Sequence, residues 1–327
     1  MRALVLSEFT GPDGVAVEDV PAPAAGGEDG RRTALIEVHA AGVSFADMLI
    51  TRGLYQAKPS LPFIPGLEVA GLVRQAPAGS GFTAGDRVAA FMFGGAFAEE
   101  AAADPAHMVL LPDNLAFPEA GGFVVNYQTA WLTLVRRARL ESGQQVLVHG
   151  AGGGLGVAVI QVARALGARV IGVTAGPAKA AMAEAAGADV VIDAGDGWAE
   201  RARAASDGGV DVVVDPVGGD RFDDSLRLLR PDGCLVVVGF AGGDIPQVKT
   251  NRLLLRNVGV LGAAWREFIL AEPGFVSEAA AGLGALIDRG KLTPLIGATY
   301  PLKDGAQALR DLAARRAVGK LVITVRE

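Results

Sequence analysis

Short apolar or alternating runs fill the first part of the chain, up to about residue 117. They are "ALVL", "VAVEDV", "ALIEVHA", "LEVAGLV", "RVAAFM" and "MVLLP", and clusters of Pro, Gly and Asp separate them. Apolar and polar positions that alternate with a period of two between turn residues are typical of half-buried strands. The pattern therefore predicts a compact β-rich domain, with the Ala/Gly/Pro-rich segment 21–30 as a surface loop.

From Pro118 the pattern changes to longer segments. Residues 118–140 predict a helical segment, because Pro118 suits a first helical turn and basic residues occur in the last one. Beyond it the pattern alternates, with strands at 145–150, 169–174, 189–193, 210–215, 234–239 and 257–262, and helices at 154–167, 177–187, 197–205 and 219–229. Continuous runs such as "VDVVVD" and "CLVVVG" indicate parallel strands buried on both faces. Six such strands predict a doubly wound α/β fold of the Rossmann type.

The carboxy-terminal remainder predicts a helix at 276–289, a strand in "LIGATYPL", a helix at 303–316 and a closing strand "KLVITV". This segment is too short to enclose a core of its own, so we expect it to return to the amino-terminal domain. The 327 residues exceed the roughly 250 at which single cores tend to split. We therefore predict one domain from residues 1–118 and 263–327, and a dinucleotide-binding domain from residues 119–262.

Charge and composition exclude several kinds of partner. There are 36 Asp plus Glu against 30 Lys plus Arg, a net charge of −6, with no dense basic cluster, which disfavours nucleic acid and anionic membranes. The amino terminus lacks the features of a signal peptide, and no apolar stretch approaches the length that spans a bilayer, so we expect a cytoplasmic protein. No metal is expected either, because the single cysteine and the three histidines are widely spaced: Cys234, His39, His107 and His149.

The segment "VLVHGAGGGLG", residues 146–156, lies between the first strand and the first helix of this alternation. Its pattern is A-x-G-x-x-G, with Ala151, Gly153 and Gly156 at the three key positions. In this context Gly153 would allow close approach of the backbone to a pyrophosphate, and Gly156 would allow close packing of the helix. We predict that Gly153, Gly154, Leu155 and Gly156 bind a dinucleotide; the alternatives are a purely structural turn or another nucleotide-like ligand, such as a methyl donor.

The end of the next strand predicts which dinucleotide binds. An Asp or Glu there is typical of NAD sites, whereas this chain has Thr174, Ala175 and Gly176. Lys179 follows, and its charge would complement a 2′-phosphate. NADPH is therefore the predicted cofactor, the alternative being that Lys179 is an exposed helix lysine.

Several motifs occur in a fixed order along the whole chain: "AAGVSFADMLITRGLY", "LPFIPGLEVAGLV", "GDRVA", "NYQTAW", the glycine turn, "DPVGG" and "GFAGG". Through them the chain resembles the medium-chain dehydrogenase/reductase superfamily, and within it the zinc-free, zeta-crystallin-like quinone oxidoreductases. The resemblance implies a GroES-like barrel closed by the carboxy-terminal tail, a Rossmann domain, and an active site between them. It also implies a homodimer, formed by pairing of the edge strand in "NVGVLGAAW".

Departures from the zinc enzymes of that superfamily affect the predicted chemistry. Ser44 stands where those enzymes have a metal-binding cysteine, and Leu67-Glu68 stands where they have His-Glu. Neither a serine hydroxyl nor a leucine replaces a thiolate or an imidazole as a zinc ligand. Without zinc, suitable substrates are small electron-poor acceptors, namely quinones or other enones. One residue weakens the case for NADPH: Ala194 replaces an aromatic residue often found after the third strand.

The resemblance also implies roles for individual residues. Tyr55 would donate a proton, or else pack as a loop aromatic. Ser44 and Asn126 would line the nicotinamide end, although Ser44 could equally cap the helix in "FADMLI", in which Asp47 would face solvent or support the turn. The remaining predicted contacts are Thr129, Val217, Gly218, Phe240 and Arg316 to the cofactor, and Trp265 to the acceptor or at a domain interface.

The leading hypothesis is an NADPH-dependent quinone oxidoreductase. A close alternative is an enoyl-thioester or 2-alkenal reductase. A third, of another class, is a non-catalytic NADPH-binding redox sensor or structural protein, because a fold does not by itself establish turnover.

Overall fold

The computed structural model describes residues 1–24 and 33–326. The chain divides into two compact units: a first unit of Met1–Val125, Val276–Ala280 and Ile296–Glu327, and a second unit of Asn126–Phe275 and Ala281–Leu295. Most of the predicted surface loop at 21–30 lies outside the described residues.

The strands of the described part, in chain order, are β1 Arg2–Leu6, β2 Val15–Asp19, β3 Ala34–Val43, β4 Glu68–Gln75, β5 Arg87–Phe91, β6 Glu100–Ala103, β7 Met108–Leu110, β8 Gln145–His149, β9 Arg169–Thr174, β10 Val190–Asp193, β11 Val210–Asp215, β12 Leu229–Val237, β13 Gly259–Gly262, β14 Ile296–Pro301 and β15 Lys320–Thr324.

The α-helices there are α1 Phe45–Thr51, α2 Phe117–Gly121, α3 Val124–Trp131, α4 Gly154–Ala165, α5 Pro177–Ala185, α6 Trp198–Ala205, α7 Arg221–Leu228, α8 Thr250–Arg256, α9 Trp265–Ala271, α10 Phe275–Asp288 and α11 Gly305–Ala313. A π-helical stretch, Leu132–Arg137, continues α3. In the described part of the chain, no helix combines the length and the hydropathy needed to cross a bilayer.

The first unit is built on a sheet with the strand order β14-β15-β3-β4-β5-β7, and β6 also pairs with β3. The strands of this sheet pair antiparallel, except that β14 and β15 are parallel. The first six residues of β3 alternate between buried and half-buried side chains, as the pattern of "ALIEVHA" predicts. The closing strand β15 pairs with β3, Leu321 opposite Val43, so the last part of the chain returns to the amino-terminal strands. Residues 263–275 and 281–295, which we also expected in that domain, belong to the second unit.

The second unit is built on a six-stranded parallel sheet with the order β10-β9-β8-β11-β12-β13. The order reverses between β8 and β11, which is the topological switch point where ligands bind in such folds. Helices cover both faces: α6 and α7 pack on the face that includes Ile171 and Val213, and α5 lies on the other, against Gly172. Burial of both faces explains the continuous apolar runs and confirms the predicted doubly wound sheet.

The structure differs from the sequence-based prediction at a few elements. The helical segment predicted at 118–140 is interrupted, because α2 ends at Gly121 and Gly122 has a non-helical conformation before α3 begins. Strand β12 begins at Leu229, earlier than predicted, and includes Pro231 and Gly233, which otherwise indicate a turn. The short helices α8 and α9 were not predicted, since neither is long enough for a clear helical period.

Candidate active site

The glycine-rich turn joins β8 to α4 in the second unit. Gly150 has a positive φ of 61°, which redirects the chain at the end of β8. Gly153 immediately precedes α4, and its N–H donates to the carbonyl oxygen of Gly150 at 3.0 Å. Gly154, Leu155 and Gly156 thus form the first helical turn, whose N–H groups have no acceptor within the helix. A phosphate or another anion is well suited to this position.

Glycine is required in the turn for packing as well as for backbone conformation. A Cβ atom at Gly156 would lie 2.3 Å from the carbonyl oxygen of Gly150, and one at Gly152 would lie 2.4 Å from that of Lys179. At Gly153 the nearest atom would be 3.4 Å away. Gly152 and Gly156 therefore allow close packing, whereas Gly153 presents bare backbone to a ligand.

Strand β9 ends without an acidic side chain. Its last residue, Thr174, is buried, and Gly176 precedes α5 with a φ of 82°. Lys179 lies in the first turn of α5 and is half-buried. The backbone and Cβ of Lys179 pack against Gly152, so the lysine lies next to the glycine turn.

The turns that follow β11 and β12 lie together at the same edge of the sheet. Asp215 shapes the first of them, because its Oδ1 atom accepts the N–H groups of Val217 and Gly218 at 2.8 and 2.9 Å. Gly218 has a φ of 70°, and a Cβ there would lie 3.0 Å from the ring of Phe240. A Cβ at Gly150 would likewise lie 3.4 Å from Val217. The structure thus brings Val217, Gly218 and Phe240 together beside the glycine turn.

Three further predicted residues lie elsewhere in the second unit. Asn126 and Thr129 are on α3; Asn126 is half-buried and Thr129 is buried, and the carbonyl oxygen of Thr129 accepts the hydroxyl of Thr133 at 2.7 Å. Trp265 begins α9, shortly after β13, and is 5% exposed. Such burial fits a packed side chain, and the contact of Trp265 with an acceptor stays a prediction.

Ser44 and Asp47 form a reciprocal cap at the start of α1 in the first unit. Ser44 Oγ accepts the N–H of Asp47 at 3.3 Å, and Asp47 accepts the N–H and the hydroxyl of Ser44 at 2.7 and 2.6 Å. The helix-cap alternative for Ser44 is therefore confirmed. Because its hydroxyl hydrogen is donated to Asp47, Ser44 offers a ligand only an acceptor while Asp47 is ionised.

Asp47 is fully buried and supports this turn instead of facing solvent. It also accepts the N–H of Gly66 at 3.1 Å. Burial raises the pKa of Asp47 to about 6, and the hydrogen bonds from Ser44 oppose that rise. The Ser-x-x-Asp spacing before an apolar run was the signal that could have identified Asp47 as a structural residue.

A buried ion pair lies in the same unit and was not predicted. Lys320 Nζ is 2.5 Å from Glu68 Oε1, and the two side chains are 5% and 1% exposed. The second carboxylate oxygen of Glu68 accepts the N–H of Val125 at 2.9 Å. Both charges are therefore removed from water and depend on each other.

Tyr55 and Arg316 also belong to the first unit. Tyr55 is half-buried in the loop that follows α1. Arg316 donates from Nε and Nη2 to Asp311 Oδ1 at 3.1 and 2.6 Å, and Asp311 also accepts the hydroxyl of Tyr300 at 2.7 Å. Arg316 therefore belongs to a hydrogen-bonded surface network, and its contact with a cofactor stays a prediction.

His149, the last residue of β8, is fully buried between α6 and α7. Its Nε2 atom is 2.8 Å from Ser225 Oγ, and its ring lies edge-on to Trp198. The Ser225 hydroxyl donates to the carbonyl oxygen of Arg221 at 2.7 Å, so it accepts from His149, which is then neutral with the proton on Nε2. Burial lowers the pKa of His149 to about 4.

Comparisons with known proteins give the family. Residues 30–113 match the alcohol dehydrogenase GroES-like domain, and residues 154–280 match the zinc-binding dehydrogenase family. The mouse quinone oxidoreductase-like protein 2 is 34% identical over 99% of this chain and 92% of its own length. The chain belongs to the medium-chain dehydrogenase/reductase superfamily, in its zinc-free quinone oxidoreductase branch.

Solved structures agree with this membership. A probable oxidoreductase from Mycobacterium abscessus is 42% identical, with a TM-score of 0.91 and 99% of each chain covered. The quinone oxidoreductase from Thermus thermophilus, solved alone and with NADPH, is 37% identical, with a TM-score of 0.84, and the match covers 99% of this chain and 100% of that one. The predicted fold class of this medium-chain reductase, a GroES-like domain with a Rossmann domain, is confirmed.

The two residues predicted to stand in place of zinc ligands are Ser44 and Leu67. The hydroxyl of Ser44 donates a hydrogen bond to Asp47, and Leu67 is a buried apolar side chain. Among the described residues, no three or more His, Cys, Asp or Glu side chains cluster closely enough to hold a metal ion.

The residues at the carboxyl edge of the second unit's sheet fit a dinucleotide cofactor. The bare backbone at Gly153 and the free N–H groups of the first turn of α4 suit a pyrophosphate. Thr174 and Gly176 place no carboxylate at the end of β9, where one would repel a 2′-phosphate.

Proposed function

We propose that this protein is an NADPH-dependent oxidoreductase that transfers hydride to quinones or other electron-poor enones without zinc. The observation that carries the proposal is the glycine turn against the first turn of α4, next to a strand β9 that ends without an acid. The relatives named as quinone oxidoreductases support the choice of acceptor.

The proposed binding residues follow the carboxyl edge of the sheet. The first turn of α4 would hold the pyrophosphate, and Lys179 would complement the 2′-phosphate. Val217, Gly218 and Phe240 would contact the nicotinamide ribose. When bound, NADPH supplies the hydride.

The other proposed residues orient the reactants and handle one proton. Ser44 would accept a hydrogen bond from the cofactor, because the hydroxyl hydrogen of Ser44 is donated to Asp47. Asn126 and Thr129 would flank the same end of the cofactor. A quinone that has gained hydride needs one proton, and Tyr55 is the proposed donor. Positioning of the acceptor would then supply most of the rate.

The test is oxidation of NADPH and of NADH, followed by absorbance, with 1,4-benzoquinone, 9,10-phenanthrenequinone, a 2-alkenal and crotonyl-CoA. We expect NADPH to be consumed with the quinones and the thioester to be spared. The Tyr55→Phe variant should lose turnover and keep NADPH affinity, because only the proton donor is removed.

The alternatives correspond to other outcomes of this assay. Preference for the alkenal or the thioester would make the protein an ene-reductase. NADPH binding without turnover of any acceptor would favour a redox sensor or a structural protein. Equal use of NADH would overturn the proposed role of Lys179.

We also propose a homodimer formed through β13. This strand is one of the two edge strands of the six-stranded sheet, and edge strands expose unpaired backbone groups. The adjoining helix α8 carries Leu254 and Leu255, which are 75% and 77% exposed. Light scattering at micromolar concentration should give twice the chain mass, and Leu255→Asp should lower it. A monomeric wild-type protein would refute the proposal.

A further inference from the structure

Arg221, the first residue of α7, extends to the ends of the second and third strands of the Rossmann sheet. Its Nη2 atom donates to the carbonyl oxygen of Ala194 at 3.2 Å, and Ala194 follows β10 directly. The N–H of Ala194 in turn donates to the carbonyl oxygen of Thr174, the last residue of β9, at 2.9 Å. The guanidinium group is therefore two hydrogen bonds away from the end of β9.

The guanidinium of Arg221 makes few polar contacts. Within the described residues it makes that one hydrogen bond and has no carboxylate within 4.0 Å. Other arginines of the same unit do have carboxylate partners: Arg164, Arg227, Arg230 and Arg252. Arg221 is also half-buried, so its charge is partly removed from water with most of its N–H donors available.

Two acids near this position have other partners. Asp193, at the end of β10, accepts the N–H of Gly195 at 2.8 Å, and Asp223 pairs with Arg252. The positive charge of Arg221 also acts on His149. Burial is the main cause of the lowered pKa of His149; Arg221 lowers this pKa further, and Asp215 raises it. The guanidinium thus lies at the end of β10, one further backbone hydrogen bond from the end of β9.

In dinucleotide-binding sheets the ribose of the adenosine half lies at the end of the second strand, and an arginine there accommodates a 2′-phosphate. A planar guanidinium suits a phosphate particularly well, because it donates two parallel hydrogen bonds. We propose that Arg221 binds the 2′-phosphate of NADPH together with Lys179 and sets the preference over NADH, with its guanidinium beside the small Ala194. This inference rests on the proposed function and adds a specificity residue to it.

The test compares Arg221→Gln and Arg221→Lys with the matched control Arg201→Gln. Arg201 also lies beside residues 193–196, but its guanidinium donates to three backbone carbonyl oxygens, those of Asp193, Gly195 and Asp196. Calorimetry would measure the affinity for 2′,5′-ADP and for 5′-AMP at one fixed salt concentration. Steady-state kinetics would measure kcat/KM for NADPH and for NADH.

We expect Arg221→Gln to lower 2′,5′-ADP affinity by about 10-fold to 100-fold, the usual range for a lost charge-assisted hydrogen bond, while 5′-AMP affinity is unchanged. Arg221→Lys should keep part of the preference, and Arg201→Gln should keep the wild-type ratio. The ratio of the two affinities is decisive, because a merely structural role of Arg221 would weaken the binding of both ligands equally.

Failure of this inference is distinguishable from failure of the proposed function. Suppose the wild type prefers 2′,5′-ADP, and Arg221→Gln either keeps that preference or loses affinity for both ligands equally. Then Arg221 does not bind the 2′-phosphate, and the NADPH proposal stands. If Arg201→Gln lowers the preference for 2′,5′-ADP as much as Arg221→Gln does, the effect comes from the conformation of residues 193–196, and the inference is also overturned. A wild type without any preference refutes both proposals.

Discussion

Replacing Lys320 with methionine is expected to lower the free energy of unfolding by about 3–5 kcal/mol, the usual cost of removing one partner of a buried ion pair. The methionine has nearly the length of the lysine but leaves the Glu68 carboxylate without its counter-ion. Glu68 is 0% exposed, so water cannot replace the ammonium group. Among the described residues, the N–H of Val125 would remain as the hydrogen-bond partner of this carboxylate.

The double variant Glu68→Gln/Lys320→Met should recover most of that loss. Glutamine removes the buried charge and keeps an oxygen for the N–H of Val125, so no unpaired ion remains. The measurement is urea unfolding followed by circular dichroism, with midpoints compared at constant m-value.

Arg310→Met provides the control for this experiment. The pair of Arg310 with Asp13 has a similar separation, 2.9 Å, but its side chains are 44% and 77% exposed. Exposed pairs contribute at most about 1 kcal/mol. If Lys320→Met costs no more than Arg310→Met, burial of the Glu68 pair does not matter to stability.

The parts of the fold that could be predicted are those encoded by local periodicity. The runs "VDVVVD" and "CLVVVG" are apolar at nearly every position because β11 and β12 are covered on both faces, and this alone implies a parallel sheet. The glycine turn could be predicted as well, because Gly156 is required by its contact with Gly150 within the turn itself. The exception is Gly152, which is required by its contact with Lys179 in the next helix.

The contacts that periodicity could not predict join distant segments. Lys320 and Glu68 are 252 positions apart, and nothing in either local sequence indicates that the other is its partner. Arg221 and Ala194 are 27 positions apart and meet only because the end of β10 and the start of α7 lie at the same edge of the sheet. The bond from the N–H of Gly66 to Asp47 likewise joins positions 19 apart, whereas the cap of Asp47 with Ser44 is local.

Stability should also depend on the protonation of His149 in the acid range. In the folded state the pKa of His149 is about 4, and in the unfolded chain it is near the ordinary value of 6.5. Between about pH 6.5 and 4 the unfolded state therefore binds a proton that the folded state does not, and the free energy of unfolding falls as the pH falls. At about 1.4 kcal/mol per pKa unit, this loss is about 2 kcal/mol at pH 5 and about 3 kcal/mol at pH 4.

Asp47 should act in the opposite direction over nearly the same range. Its pKa is raised from 3.8 to about 6, so between those values the folded state binds a proton more tightly than the unfolded state does. Acidification through that range therefore adds stability, by about 3 kcal/mol when complete. In the wild type the two effects largely cancel, and neither is visible in a single pH profile.

The variants His149→Gln and Asp47→Asn separate them, with urea unfolding measured from about pH 7.5 to about pH 4.5. Relative to its own value at pH 7.5, His149→Gln should lose about 2 kcal/mol less stability than the wild type by pH 5, because glutamine does not titrate but still donates to Ser225. Asp47→Asn should deviate from the wild type with the opposite sign. Profiles of both variants that run parallel to the wild type would mean that neither burial shifts the pKa, and would contradict the enclosed positions of both side chains.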